Sequence, residues 1–296
     1  MLISVITPTY NRAYILNKCY ESLAKQTCKD FEWIIVDDGS TDNTEALVST
    51  FDRSLGFEII YIKQENGGKH VAHNTGVLQA RGDLTVCLDS DDMLTETAIE
   101  TAVGVWQEKQ NARYTGILAK RGDFESRKPI CGTWPKELES ATMCDLTTVH
   151  GFYGDTVLFF RTEILKQNLF KTYPNERFMP EMNLYCDIDT YGEMLLVDEV
   201  LYLCEYLPDG LTSKYHKLLR ENPNGTADTY YKTMLQAKNL KTKVKFAILT
   251  NVYYLLSKQK KLLTFPQGKL LIALTRLPAM CLKNRFLKRV EKGTAQ

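Results

Sequence analysis

Residues 84–92 read Leu-Thr-Val-Cys-Leu-Asp-Ser-Asp-Asp, an apolar run that stops on three carboxylates within four positions. Leu84–Leu88 reads as an apolar strand that ends in Asp89-Ser90-Asp91-Asp92. Upstream, the same pattern recurs. Leu2–Thr7 is a β-rich run closed by Pro8, Phe31–Val36 runs into Asp37-Asp38-Gly39-Ser40, and Phe57–Ile62 precedes the turn Asn66-Gly67-Gly68-Lys69. Leu16, Cys19, Tyr20 and Leu23 recur at helical spacing, and Ser40 or Thr41 can cap a helix reaching Phe51. Further helices are predicted near 70–80 and 95–109. Strands alternating with helices mean βαβ units, an α/β fold and a mostly parallel sheet. Such sheets bind ligands beyond the carboxyl ends of their strands. Those ends carry PTYNR, DDGSTD, NGGKH and DSDD.

The second half is less regular. Tyr114–Ala119, Thr156–Phe160 and Val200–Tyr206 read as strands, and 121–140 as a loop. From about 216 the pattern is helical, with Leu240, Val244, Ile248, Val252 and Leu255 on one face. Another helical stretch near 268–290 is interrupted at Pro278.

A chain of 296 residues with 44% hydrophobic and 25% charged residues is ordinary globular material, which excludes wholesale disorder. Met1-Leu2-Ile3-Ser4 leads into a strand without a basic n-region, so no signal peptide is expected. The longest uncharged run, Phe246 to Ser257, is too short for a membrane span of about 20 residues. The eight cysteines form no C-x-x-C pair and read as reduced thiols, not as a zinc site. The net charge of +1 conceals a split: residues 232–296 hold 15 Lys or Arg and one acid, Glu291. That basic tail points to an anionic partner: a membrane surface, nucleic acid, or the acidic remainder of the chain.

Each cluster has a chemical and a plain structural reading. The acids Asp89, Asp91 and Asp92 around Ser90 make a hard oxygen site, suited to Mg²⁺ or Mn²⁺ bridging a diphosphate. They also suit a helix N-terminus. Asp37 and Asp38 can accept from a base or ribose, or serve a turn. Gly67 and Gly68 let backbone approach a ligand, and Lys69 brings a cation for phosphate. His73 and Asn74 lie one turn into the next helix. Tyr10 can stack on a base, and Asn11 and Arg12 can bond it or its sugar.

Taken together, SVITPTYNR, FEWIIVDDGSTDNT, NGGKHVAHNTG and ARGDLTVCLDSDD resemble, in order and spacing over residues 3–92, the N-terminal block of family 2 glycosyltransferases. The resemblance implies the GT-A fold, a Rossmann-like sheet flanked by helices, here with a C-terminal helical extension. It implies that Pro8, Thr9 and Tyr10 line a uracil pocket and that Asp38 accepts the uracil N–H. Asp89 would face ribose or metal, Asp91 would hold the divalent cation, and Lys69 and His73 would approach the donor. The family often has Arg where His73 stands, which implies a weaker or pH-dependent phosphate contact. Phe178-Met179-Pro180-Glu181 resembles the F-x-P-E variant of a bacterial polysaccharide subgroup, making Glu181 the general base, with Asp187 and Asp189 as alternatives. The stretches Cys204–Thr212 and Arg220–Gly225 resemble the same subgroup. Lys214, His216 and Arg220 either meet the diphosphate or simply open a surface helix.

The resulting expectation is a catalytic domain over 1–215 and a basic helical extension over 216–296. Its activity would be inverting, metal-dependent transfer from a UDP-sugar to a polyprenyl-diphosphate-linked glycan in capsule or related polysaccharide assembly. The expected partners are that donor, that acceptor and an anionic membrane surface met by residues 232–296. A homodimer is left open, and no nucleic acid is expected. The expected location is cytoplasmic, peripheral at the inner face of the membrane. Two rival readings are a nucleotidyltransferase and a non-catalytic scaffold whose tail binds nucleic acid.

Overall fold

A computed structural model describes residues 3–205, 210 and 212–291, the last eight by backbone alone. Leu2, Tyr206 and most of the 206–212 stretch, which the sequence reading drew on, lie outside the described residues. In chain order the elements are β1 (Ile3–Thr9), α1 (Leu16–Ala24), β2 (Phe31–Asp37), α2 (Thr44–Ser49), β3 (Glu58–Lys63), α3 (Lys69–Gln79), β4 (Leu84–Cys87), β5 (Met93–Leu94), α4 (Ala98–Lys109), β6 (Tyr114–Asp123) and β7 (Ser140–Ala141). There follow α5 (Met143–Thr148), β8 (Thr156–Arg161), α6 (Thr162–Gln167), α7 (Met182–Ile188), β9 (Glu193–Cys204), α8 (Tyr215–Glu221), α9 (Pro223–Gln236), α10 (Leu240–Leu256), α11 (Lys269–Leu274) and α12 (Arg276–Glu291).

The chain divides into two compact units, Met1–Leu169 with Ile188–Pro208, and Phe170–Asp187 with Asp209–Gln296. The expected halves were 1–215 and 216–296. The segment 170–187, which carries Glu181, belongs with the C-terminal helices.

The first unit is built on one mixed sheet in the order β3-β2-β1-β4-β8-β6-β9-β5, with β7 beside β9. β3, β2, β1 and β4 run parallel, β8 runs against both neighbours, and β6 and β9 are parallel again. β1 and β2 are buried along their whole length, and the polar residues within their apolar runs find partners there, Ser4 Oγ donating to Glu32 Oε1 at 2.6 Å. On one face Trp33 stacks with Phe51 and Tyr20, and α1 contributes Leu16, Cys19 and Leu23 to the core. On the other, α3 comes so close to β1 that a Cβ on Gly76 would sit 2.4 Å from Ile6 Cγ2, so only glycine fits there.

Several expected boundaries move. Neither Ser40 nor Thr41 caps α2, which starts at Thr44 and ends at Ser49. Asp42 instead accepts from Thr44 N and Oγ1, while Ser40 Oγ accepts from Asn11 N. β6 extends into the expected loop, to Asp123, and β9 begins at Glu193, well before Val200. The polar pair Asp198-Glu199 hides that strand from an apolar search. The ladder shifts register opposite it, and Asp198 projects to form an ion pair with Lys120.

The second unit packs Tyr231, Met234 and Ala247 against Phe246, Phe265, Leu271 and Ile272. The buried side of α10 includes Ala247, Thr250, Asn251, Val252 and Tyr253, not the whole predicted stripe, for Leu240 is exposed. The uncharged run 246–257 makes this helix apolar nearly all round, so spacing alone does not select its buried side. Pro278 does not break the last helix. The break falls at Thr275, and Pro278 sits in the first turn of α12, where a missing N–H costs little. Among the described residues no helix is long and apolar enough to cross a membrane. The eight cysteines are free, four of them buried.

Candidate active site

Because β1, β2 and β4 are parallel, their carboxyl ends lie side by side: Thr9 is in register with Asp37, and Ile6 with Cys87. The expected PTYNR, DDGSTD and DSDD clusters therefore meet at one edge, at the switch point where the strand order turns from β1 to β4. Specific side chains fasten them. Asn11, in the left-handed region that asparagine tolerates, accepts from Thr41 N at 2.8 Å through Oδ1. Asp42 accepts from Ala13 N at 3.0 Å.

Asp38 is buried and holds the fourth cluster. Its carboxylate accepts from Gly67 N at 2.9 Å, Gly68 N at 2.7 Å and Gln64 Nε2 at 2.8 Å. Gly68, with φ of 97°, caps α3 in a conformation that strains any other residue. Three of a carboxylate's roughly four acceptor positions are thus filled. Asp37 is fully buried and structural, accepting from Ser40 N and the Tyr61 hydroxyl.

Lys69, at the first turn of α3, pairs with Asp89 at 2.7 Å, which joins the glycine loop to the acidic loop. Asp91 is half-buried, and its carboxyl is pushed up by burial and by the charge of Asp89, against the pull of Arg12 and Lys69. The sequence-predicted residues Arg12, Lys69, Asp89 and Asp91 thus act on one another electrostatically. Thr9, Ser90 and His73 are buried, while Tyr10 is exposed at the edge.

Sequence reasoning missed the support under the acidic loop. Tyr202, fully buried on β9, donates to Asp92 Oδ2 at 2.8 Å and accepts from Asp89 N at 3.0 Å. The Arg121 guanidinium lies 4.2 Å from the Tyr202 ring centre. Burial, with Asp89 next, pushes the Asp92 carboxyl up, and Arg121 opposes this. A hydroxyl inside the apolar run Val200–Cys204 was the available signal, since a buried tyrosine hydroxyl requires a partner.

The three candidate bases differ sharply. Asp189 accepts from Met143 N and Cys144 N at the start of α5, and burial raises its carboxyl to about 6. Asp187 is ion-paired with Lys232. Glu181, in the second unit, is exposed and accepts from Tyr185 Oη at 3.1 Å. Two stretches read separately in the sequence lock together around it. Asn222 Oδ1 accepts from Arg177 N and Phe178 N, while Glu176 accepts from Asn224 N and Gly225 N at the start of α9. Lys214 and His216 are exposed and Arg220 half-buried at α8 in that same unit.

A sheet of this order, with acidic and glycine loops gathered at the β1/β4 switch point, has the GT-A-type fold. Residues 4–169 match Glycosyl transferase family 2, and the chain belongs to that family. It is 39% identical over 108 residues to glycosyltransferase GlyG of Streptococcus pneumoniae, spanning 36% of each chain. It is 41% identical over 126 residues to a PGL/p-HBAD biosynthesis glycosyltransferase of Mycobacterium bovis, covering 42% of this chain and 49% of that protein. The chain thus spans less than half of the curated relatives it matches. Among solved structures, S. aureus TarS 1–349 superimposes with a TM-score of 0.61 at 16% identity, covering 99% of this chain and 92% of that one. The mannosyltransferase PcManGT from Pyrobaculum calidifontis, in complex with GDP-Man and Mn²⁺, gives 0.58 at 17% identity, covering 95% and 83%. At that identity the likeness concerns the fold.

Proposed function

We propose that the chain transfers a sugar, with inversion, from a UDP-sugar to a glycan carried on a polyprenyl diphosphate, in the assembly of a surface polysaccharide. The convergence of four polar loops at the β1/β4 edge, joined through Lys69 and Asp89, carries the reading. Structures of TarS 1–349 with UDP and with UDP-GlcNAc favour a uridine donor. The F-x-P-E likeness favours the acceptor class.

In this reading Pro8, Thr9 and Tyr10 receive the uracil, with Asp38 accepting its N–H, and Asn11 braces the pocket wall. Asp89 and Asp91 would hold Mn²⁺ or Mg²⁺. The donor set suits these ions: two carboxylates with phosphate oxygens and water complete their shell, and Asp91 bears an ionisation penalty that a cation removes. When bound, the metal supplies charge neutralisation at the departing diphosphate. Lys69 and His73 approach the same phosphates. Glu181 takes the proton of the acceptor hydroxyl as its oxygen bonds to the anomeric carbon and the bond to UDP breaks.

A UDP-release screen over UDP-sugars, followed by transfer to lipid-linked saccharides, tests this. Release of inorganic diphosphate instead of UDP would select nucleotidyl transfer. Tyr202 gives a finer check. Tyr202→Phe keeps the ring on Arg121 but unpairs Asp89 N and Asp92, at about 1–3 kcal/mol. The Mn²⁺ concentration for half-activation should rise roughly tenfold or more. A lower melting temperature with an unchanged Mn²⁺ requirement would make Tyr202 merely structural.

A further inference from the structure

α11 and α12 turn one side inward. Thr275 and Ala279 are buried, Thr275 Oγ1 accepts from Asn251 Nδ2 at 2.9 Å, and Lys283 Nζ donates to Leu255 O at 3.2 Å. The opposite side is apolar and uncovered: Leu270, Leu274 and Leu277 are 73%, 68% and 74% exposed, with Met280 beside them. These positions follow helical spacing across the break at Thr275, so they form one stripe. Exposed Lys269 and Arg276 flank it, and from residue 232 to 290 there is no acid.

An isolated exposed leucine needs no explanation, but a stripe of them in a cationic field does. We infer that this stripe is a membrane-docking face, with Leu270, Leu274 and Leu277 entering an anionic bilayer at headgroup depth. The charge decides the occupant. Fifteen cations against one acid over 232–296 suit anionic lipid, and apolar residues set between lysines and arginines suit a helix lying in the interface. The α10 flank, which sequence spacing also favours, contributes less, because Val252 is buried and Val244 and Ile248 are half-buried. The inference goes beyond the proposed transfer reaction and does not depend on donor chemistry.

Deleting 232–296 is a poor test, since Met234, Ala247 and Leu271 belong to the second unit's core. Surface substitution is cleaner. In flotation with the full chain, vesicles of phosphatidylcholine plus phosphatidylglycerol should carry the protein, vesicles of phosphatidylcholine alone should not, and high salt should release it. The triple variant L270S/L274S/L277S should lose at least ~tenfold in vesicle affinity while UDP release stays unchanged. Leu274→Trp should show a blue-shifted emission with anionic vesicles, which decides the matter even if the triple variant misfolds. Equal binding to neutral vesicles, a triple variant that floats like the parent, or no emission shift would overturn the inference. So would light scattering that shows the leucines joining two copies with no vesicle binding.

Discussion

Asp91→Asn is expected to lose at least ~10³-fold in UDP release at saturating Mn²⁺, because metal charge stabilisation of a leaving diphosphate is worth several kcal/mol. The same variant should be more stable than the parent in metal-free buffer at neutral pH. Burial and Asp89 raise the Asp91 pKa in the folded state, so its ionised form opposes folding. The penalty is complete above the folded pKa and disappears below the unfolded value. Melting temperatures of parent and variant should therefore separate near pH 7.5 and converge near pH 4. A residue needed only for packing would lower both activity and stability. Near-parental turnover with Mn²⁺ would remove the metal assignment.

Glu181→Gln should still bind UDP-sugar but lose ~10²–10⁴-fold in transfer, the usual cost of removing a general base. Glutamine keeps the shape and can still accept from Tyr185, so the binding constant for UDP isolates the effect. Asp187→Asn and Asp189→Asn are the controls. The first loses the ion pair with Lys232, and the second weakens the start of α5, so both should affect stability more than rate. Should Glu181→Gln retain more than about a tenth of the transfer rate while one control is inactive but folded, the base moves to that control.

The β1–β4 part of the first unit was readable because its physics is local. In the parallel strands β1, β2 and β4, apolar runs end at polar clusters, and the order of a βαβ sheet brings those ends together without further information. What escaped was held by partners distant in sequence. Tyr202 reaches Asp92 across 110 positions, and no spacing rule links them. Asp42 does the work expected of Ser40 because Asn11 has already engaged Ser40, which is a tertiary competition. The buried side of α10 was hidden for the opposite reason, an excess of apolar residues. The roles of Asp187 and Asp189 depended on Lys232 and the α5 amides, neither visible in the F-x-P-E motif.

The clasp between Glu176–Phe178 and Asn222–Gly225 bears on how such enzymes are recombined. A hybrid that replaces only the chain beyond residue 215 would place foreign helices against a native Glu181 segment, and every hydrogen bond of the clasp would have to be met by chance. The natural cassette is discontinuous: residues 170–187 should travel with 209–296. Homologous exchange across those two seams would transplant the second unit whole, while leaving the loops at the β1/β4 edge untouched.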